Sequence, residues 1–208
     1  MPTWVASASA GRSNPVTQLA LFEDEAFAGP EGLSYAREFV SEEIERELIA
    51  RVAELPLKPF QFGVFEGHRR VKSFGYRYDY TLQKLTESDP IPDWLKDVAR
   101  SVEMFGNLGG GSIRQVLCTE YEAGVGIGWH RDKGHFNKVF GLSLRSACKL
   151  RFRRRHGDKW QRFALQAEPR SLYLMQDEAR HDWEHSIPAV DALRYSITFR
   201  TMADRASR

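Results

Sequence analysis

His130 and Asp132 stand two residues apart in Gly126-Ile127-Gly128-Trp129-His130-Arg131-Asp132. In a strand or at its end, residues i and i+2 project to the same side, so this spacing aims an imidazole and a carboxylate at one point. Nitrogen plus carboxylate oxygen suits a borderline divalent ion. A solvated turn would carry the same triplet, and short motifs often match by chance. A further donor follows: His185, in Trp183-Glu184-His185-Ser186-Ile187-Pro188, sits where a strand can return to the mouth of a barrel. Next comes Arg194-Tyr195-Ser196-Ile197-Thr198-Phe199-Arg200, which alternates along its length. Arg194, Ser196, Thr198 and Arg200 form a polar face, and Tyr195, Ile197 and Phe199 an apolar one. Two arginines and two hydroxyls on the inside of a barrel are costly to bury without an anionic guest. The planar guanidinium matches a carboxylate bidentately. An edge strand with its arginines in water would read the same way.

The elements that must position these residues follow from periodicity. After Gly109-Gly110-Gly111 the pattern becomes strand-like, predicting strands over 112–121, 138–143, 148–154, 162–166, 171–175 and 195–201, with a hairpin turn at His156-Gly157-Asp158. Short strands at regular spacing with no helix between them predict a barrel or jelly roll. Upstream, Ser41 is placed to cap a helix whose first turn carries Glu42 and Glu43. The apolar stripe of that helix is Ile44, Leu48, Ile49, Val52 and Leu55. A second helix follows Pro92, with Trp94, Leu95, Val98, Val102 and Phe105 on one face. Both helices are expected to cover a sheet. Residues 1–18, rich in Ser, Ala, Gly and Pro, read as a loose leader, and 19–208 as one domain.

Composition narrows the function classes. The 208 residues suffice for one ordinary core. With 42% hydrophobic and 28% charged residues, neither disorder nor a fibrous class fits. A net charge of +2 does not of itself call for a nucleic-acid partner. The two cysteines, Cys118 and Cys148, lie in apolar runs and read as buried thiols rather than a disulfide framework. With no membrane-length apolar run and no signal-peptide order, a cytoplasmic, monomeric protein is expected.

Two histidines and one carboxylate make the facial triad that leaves coordination positions open on iron(II). The order His130, Asp132, His185, Arg194, Arg200 is similar to that of the AlkB-like 2-oxoglutarate dioxygenases. The resemblance spans about residues 33–202. It includes Tyr121-Glu122-Ala123-Gly124, Ser143-Leu144-Arg145-Ser146, Arg151-Phe152-Arg153 and Arg170-Ser171-Leu172-Tyr173-Leu174-Met175. It implies a mainly β, α+β fold: a double-stranded β-helix (jelly roll) with N-terminal helices over it. It implies iron(II) on His130, Asp132 and His185, with 2-oxoglutarate and O2 as cosubstrates. By the same likeness Arg194 and Tyr121 would hold the far carboxylate of 2-oxoglutarate, and Arg200 would lie near the carboxylate that chelates the metal. Thr119, Ser196 and Thr198 would line the cosubstrate face. The implied chemistry is hydroxylation of a C–H bond; on an N-methylated base the product would release formaldehyde and leave the repaired base. Thr119 and Ser196 stand where many relatives carry asparagine. Gly134 replaces an acidic residue and Gln176 a tryptophan found in some relatives. These departures bear on the substrate rather than on the oxidative machinery.

Two segments are candidates for substrate contact. In Gly67-His68-Arg69-Arg70-Val71-Lys72-Ser73-Phe74-Gly75-Tyr76-Arg77-Tyr78-Asp79-Tyr80, cations and rings interleave, as a phosphate backbone with an extruded base would require. Tyr76, Tyr78, Arg69 and Arg77 are the expected contacts, the two tyrosines by likeness to the family's Gly-Tyr-x-Tyr. An ordinary hairpin packing its tyrosines on the core is the other reading. The hairpin bearing Arg151, Arg153, Arg154, Arg155, His156, Lys159 and Arg162 would track phosphates or be a solvated outer face. The expected substrate is an N-alkylated base in DNA or RNA, single-stranded preferred. A modified tRNA nucleoside, a protein side chain, or a binding module without turnover are the alternatives.

Overall fold

The computed structural model describes residues 29–62, 65–80 and 82–203, so the expected leader at 1–18 lies outside the described residues. The elements run β1 (Leu33–Ala36), α1 (Glu42–Ala53), β2 (Lys58–Phe62), β3 (Phe65–Phe74), β4 (Tyr76–Asp79), β5 (Lys84–Glu87) and α2 (Asp93–Phe105). The second half is β6 (Ile113–Tyr121), β7 (Ile127–His130), β8 (Phe136–Leu144), β9 (Cys148–His156), β10 (Lys159–Ala167), β11 (Leu172–Met175), α3 (Asp177–His181), β12 (Glu184–Ile187) and β13 (Arg194–Met202). Each strand expected beyond residue 110 is present, shifted by at most a few residues at its ends.

The strands form a seven-stranded sheet, β1-β11-β8-β13-β6-β3-β2, and a four-stranded sheet, β10-β9-β12-β7, with β4 and β5 as a separate ribbon. All recorded pairings are antiparallel. Period-two alternation sorts the side chains into two cores. Leu172, Leu174, Val116, Cys118, Tyr195, Ile197 and Phe199 turn outward beneath α1 and α2, joining Leu48, Val52, Leu95, Val98 and Val102. Tyr121, Val139, Tyr173 and Met175 turn inward and meet Leu150, Phe152 and Ile187 of the small sheet. The polar face of β13 therefore lies inside, between the sheets, and β13 is paired on both sides rather than being an edge strand. Both cysteines are free and buried, and burial pushes the Cys118 thiol up to about 12. No helix among the described residues is long and apolar enough to cross a membrane.

Ser41 caps α1, its Oγ accepting from the Ile44 amide at 3.2 Å. The expected stripe of α1 is corrected at one position: Ile44 is 41% exposed. Glu45 is buried in its place, accepting from the Arg145 amide at 2.8 Å and facing Arg170 at 3.6 Å. Two tertiary partners outweigh one methyl-rich side chain in setting the helix's rotation. Gly75, at φ +75°, turns the chain from β3 into β4 where a Cβ would lie 2.1 Å from the Arg114 carbonyl oxygen.

Gly141 of β8 underlies Tyr173 on the neighbouring strand β11, and a Cβ there would lie 2.1 Å from Tyr173 Cζ. Gly141→Ala should therefore destabilise the protein by about 1–3 kcal/mol, the usual cost of overpacking a filled interior. Thermal unfolding checks this. Gly141→Ala should cost much less when introduced into a Tyr173→Ala background, because the ring is the atom group in the way.

Candidate active site

β7 and β12 are paired so that His130 and His185 lie directly opposite each other. Their rings are 4.2 Å apart between centroids. Asp132, just past the end of β7, brings Oδ2 to 3.6 Å from His185 Nε2. His130 Nδ1 is 2.9 Å from the Gly128 carbonyl oxygen. A carbonyl only accepts, so Nδ1 carries the proton and Nε2 keeps its lone pair. Burial, reinforced by His130, pushes the His185 imidazole down to about 3, and burial lowers His130 as well. Both rings are neutral near pH 7, as donors to a metal must be. Burial alone would raise the Asp132 carboxyl, but Arg200, His185, His130 and Arg180 around it carry it well below the usual carboxylate range. The site thus holds two neutral imidazoles and one fixed anion, a donor set suited to iron(II). Among the described residues no three such donors are already closed around one point.

Asp132 is turned onto Arg200, whose Nη2 donates to Oδ1 at 2.6 Å. Arg200 Nη1 donates to Gln115 Oε1 at 2.7 Å. Expected beside the cosubstrate's chelating carboxylate, Arg200 here positions Asp132, and its Nε is buried without a hydrogen-bond partner among the described residues. The loop that carries Asp132 is pinned by Arg180 of α3, which donates to the Lys133 and Phe136 carbonyls at 2.8 and 2.7 Å. Neither Gln115 nor Arg180 was singled out by sequence reasoning. The alternation Gln115, Leu117, Thr119, Tyr121 along β6 could have signalled the first; Arg180 left no local pattern.

Arg194 is fully buried. Its Nη2 donates to Ser143 Oγ at 3.1 Å, and its guanidinium carbon lies 5.2 Å from the Tyr121 ring centroid. Nε and Nη1 have no hydrogen-bond partner among the described residues. Two orphaned N–H groups on a buried cation, with no carboxylate paired to it, fit an incoming carboxylate. Ser196 is buried between Thr119 and Ser143, its register partners on β6 and β8. Thr119, Tyr121, Thr198, Tyr173, His130, Asp132, His185 and Arg200 all line a small cavity of about 50 Å³ between the sheets. The residues present therefore fit both a divalent metal and a dicarboxylate.

The small cavity shares Arg69, Leu117, His130, Asp132 and Arg200 with an open cleft of about 480 Å³. Arg77, Tyr78, Tyr80 and Lys133 stand along the cleft. The Tyr78 and Tyr80 rings meet edge-on at 4.9 Å, and Lys133 Nζ lies over both, at 4.8 and 5.0 Å. Arg69 stacks over Phe60 at 4.0 Å; burial lowers its pKa, against the opposing pull of Tyr121, Tyr80 and Asp132. Of the four expected substrate contacts, Arg77 and Tyr78 reach the cleft and Arg69 lies at its junction with the inner cavity. Tyr76 is not among the lining residues; Arg114 covers its ring at 5.8 Å. Arg70 is committed elsewhere, paired with Glu120 at 2.5 Å on the opposite face of β3. Sequence reasoning did not assign Lys133 a role. Gly134 faces open space.

The family model for the 2OG-Fe(II) oxygenase superfamily matches residues 32–200. An Arabidopsis thaliana protein named alkylated DNA repair protein ALKBH8 homolog is 28% identical over 184 residues, covering 76% of this chain and 51% of its own length. The Mus musculus tRNA (carboxymethyluridine(34)-5-O)-methyltransferase ALKBH8 is 32% identical over 167 residues, 76% of this chain and 24% of its own. The chain thus spans about half the length of the first relative and about a quarter of the second. Among solved structures, OsALKBH1 superposes with a TM-score of 0.62 at 16% identity, covering 84% of this chain and 98% of that one, which shows a shared fold.

Proposed function

The chain belongs to the 2OG-Fe(II) oxygenase superfamily, and from that premise we propose that it oxidatively dealkylates N-alkylated bases in single-stranded DNA or RNA. It is an AlkB-like dioxygenase that uses iron(II), 2-oxoglutarate and O2. The observation that carries the substrate reading is the cleft: cations and aromatic rings stand together at the mouth of the buried donor set.

His130, Asp132 and His185 would hold the metal, and Arg194 the far carboxylate of 2-oxoglutarate. Bound iron(II), with the two cosubstrates, supplies oxidation of a C–H bond coupled to decarboxylation of 2-oxoglutarate. The chain's own residues orient and exclude water. Arg200 and Arg180 fix the Asp132 carboxylate, and Leu150 and Ile127 of the small sheet with Val139 and Met175 of the large one give the inner cavity an apolar wall. A base can reach this depth only after leaving its stack, which costs less in a single strand than in a duplex. Tyr78 and Tyr80 offer rings to the extruded base, and Arg77 and Lys133 offer charge to its phosphates. The likeness to the mouse tRNA-modifying relative supports a second reading, a modified tRNA nucleoside in the same cleft.

A formaldehyde-release screen over methylated single-stranded DNA, duplex DNA, RNA and methyl-lysine peptides tests the reading. Single strands are expected to turn over fastest, with binding that weakens steeply as salt rises. Arg77→Ala and Lys133→Ala should each lower the salt slope. Tyr78→Ala should cost about 1–3 kcal/mol of binding through lost stacking, with the slope unchanged. Turnover of the peptide alone, with no salt-dependent nucleic-acid binding, would discard the nucleobase reading.

A further inference from the structure

The basic hairpin β9–β10 lies away from the cleft, and its charge is not absorbed by the active site. Alternation sends Leu150 and Phe152 inward, toward His185, and Arg151, Arg153 and Arg155 outward. The register places Arg162 opposite Arg153 and Trp160 opposite Arg155. On the same outer face β7 contributes Trp129, the neighbour of His130. The side chains form a continuous ladder. Arg151 and Arg153 lie over the Trp129 ring at 5.0 and 4.4 Å, and Arg153 and Arg155 over the Trp160 ring at 4.4 and 4.6 Å.

The ladder carries more charge than the fold neutralises. Arg153 pairs with Glu184 at 2.7 Å, and Arg151 donates to the Ser186 hydroxyl at 3.1 Å. Arg155 donates to the Asp158 backbone carbonyl at 3.3 Å and has no carboxylate partner among the described residues, and both it and Arg162 are exposed. Like charges directly opposite each other, as Arg153 and Arg162 are, destabilise a sheet. An anion laid across the face would relieve that repulsion. Outward positions on one strand recur about every 6.8 Å, a span one nucleotide of an extended strand can cover. The half-buried tryptophans supply the sequence-tolerant stacking that such a strand uses.

We propose that the outer face of the four-stranded sheet is a second binding track, holding nucleotides that flank the base in the cleft. This rests on the reading of the substrate as single-stranded nucleic acid. The track begins at Trp129, on the opposite face of β7 from His130, so a strand leaving the cleft would round one edge strand to reach it. An acidic peptide could match the arginines but would leave the two rings without a role.

The test uses the full chain loaded with manganese and fluorescein-labelled, unmodified oligouridylate of 5 and 20 nucleotides, with anisotropy followed from low to moderate salt. The 20-mer should bind at least tenfold more tightly than the 5-mer and with a steeper salt slope. Arg155→Glu with Arg162→Glu should lower 20-mer affinity at least tenfold and reduce the slope by about 1.4, two single-strand phosphate contacts at about 0.7 each. The 5-mer affinity and the turnover of 2-oxoglutarate without substrate should stay unchanged. Trp160→Ala should weaken the 20-mer without changing the slope. If the double variant binds the 20-mer as the wild type does, the track is overturned while the cleft reading stands. If the wild type binds neither oligonucleotide, both readings fall. Poly-glutamate binding that the double variant loses would then assign the face to acidic protein, which also overturns the proposal.

Discussion

Arg194→Met is expected to leave the protein folded and to remove most of its response to 2-oxoglutarate. The guanidinium is fully buried, donates to Ser143, and leaves two N–H groups without partners among the described residues. A buried cation in that condition is a burden on the ligand-free fold. Replacing buried ions by apolar groups of similar volume is often neutral or stabilising. The melting temperature without ligand should therefore hold or rise. Binding behaves in the opposite way. Removing one partner of a buried, hydrogen-bonded charge pair typically costs about 2–5 kcal/mol, or roughly 30-fold to 4,000-fold in affinity. In manganese-loaded wild type under anaerobic conditions, 2-oxoglutarate at about 100 times its Kd should stabilise by about 2.7 kcal/mol. For a chain of this length that is roughly 5–10 °C in Tm. Arg194→Met should show a shift of at most about 3 °C at the same concentration. Arg194→Lys keeps a charge but loses the planar fork, so its affinity should fall between the two. An undiminished ligand-induced shift in the methionine variant would move the clamp to another cation, with Arg200 the first to test.

What the sequence disclosed was whatever local periodicity encodes. The alternation in 194–200 put four polar side chains on one face because a strand has only two. That this face lies between the sheets and not in water came from the pairing of β13 between β6 and β8. Ser41 announced the start of α1 because its cap bond spans three residues. The His-x-Asp spacing likewise survives any strand geometry. What stayed hidden depends on partners far apart in the chain. Arg200 and Asp132 are 68 residues apart, and no period links them. Arg69 and Arg70 are adjacent and equally basic, yet one turns into the active site and the other onto Glu120. That division is set by the pairing of β3 with β6, which brings Arg70 opposite Glu120. Ile44 follows the same rule, since the rotation of α1 is fixed by what Glu45 meets. Tyr76 shows the limit of the resemblance: it matches a family position, but the bend at Gly75 leaves it beside Arg114 rather than in the cleft.

Asp132→Ala should abolish turnover and also lower stability, so loss of activity in that variant would not by itself identify a metal ligand. Asp132 is buried among Arg200, Arg180 and the two histidines, and its ionised form is what they favour. Breaking a buried ion pair from one side leaves an uncompensated charge, at about 3–5 kcal/mol. The expected fall in Tm is roughly 6–20 °C for a protein of this size. Adding Arg200→Met removes the stranded cation, and the double variant should regain most of the lost Tm. The coupling in this double-mutant cycle measures the pair. Turnover of 2-oxoglutarate should stay absent, because no second substitution restores the carboxylate among the metal donors. Manganese titration separates the two roles further. It should raise the Tm of the wild type and leave that of both Asp132 variants unchanged, since two imidazoles alone hold the ion weakly. A double variant that recovered turnover, or an Asp132→Ala protein that consumed 2-oxoglutarate at the wild-type rate, would remove Asp132 from the metal site. It would leave the carboxylate only as the counter-ion that Arg200 requires.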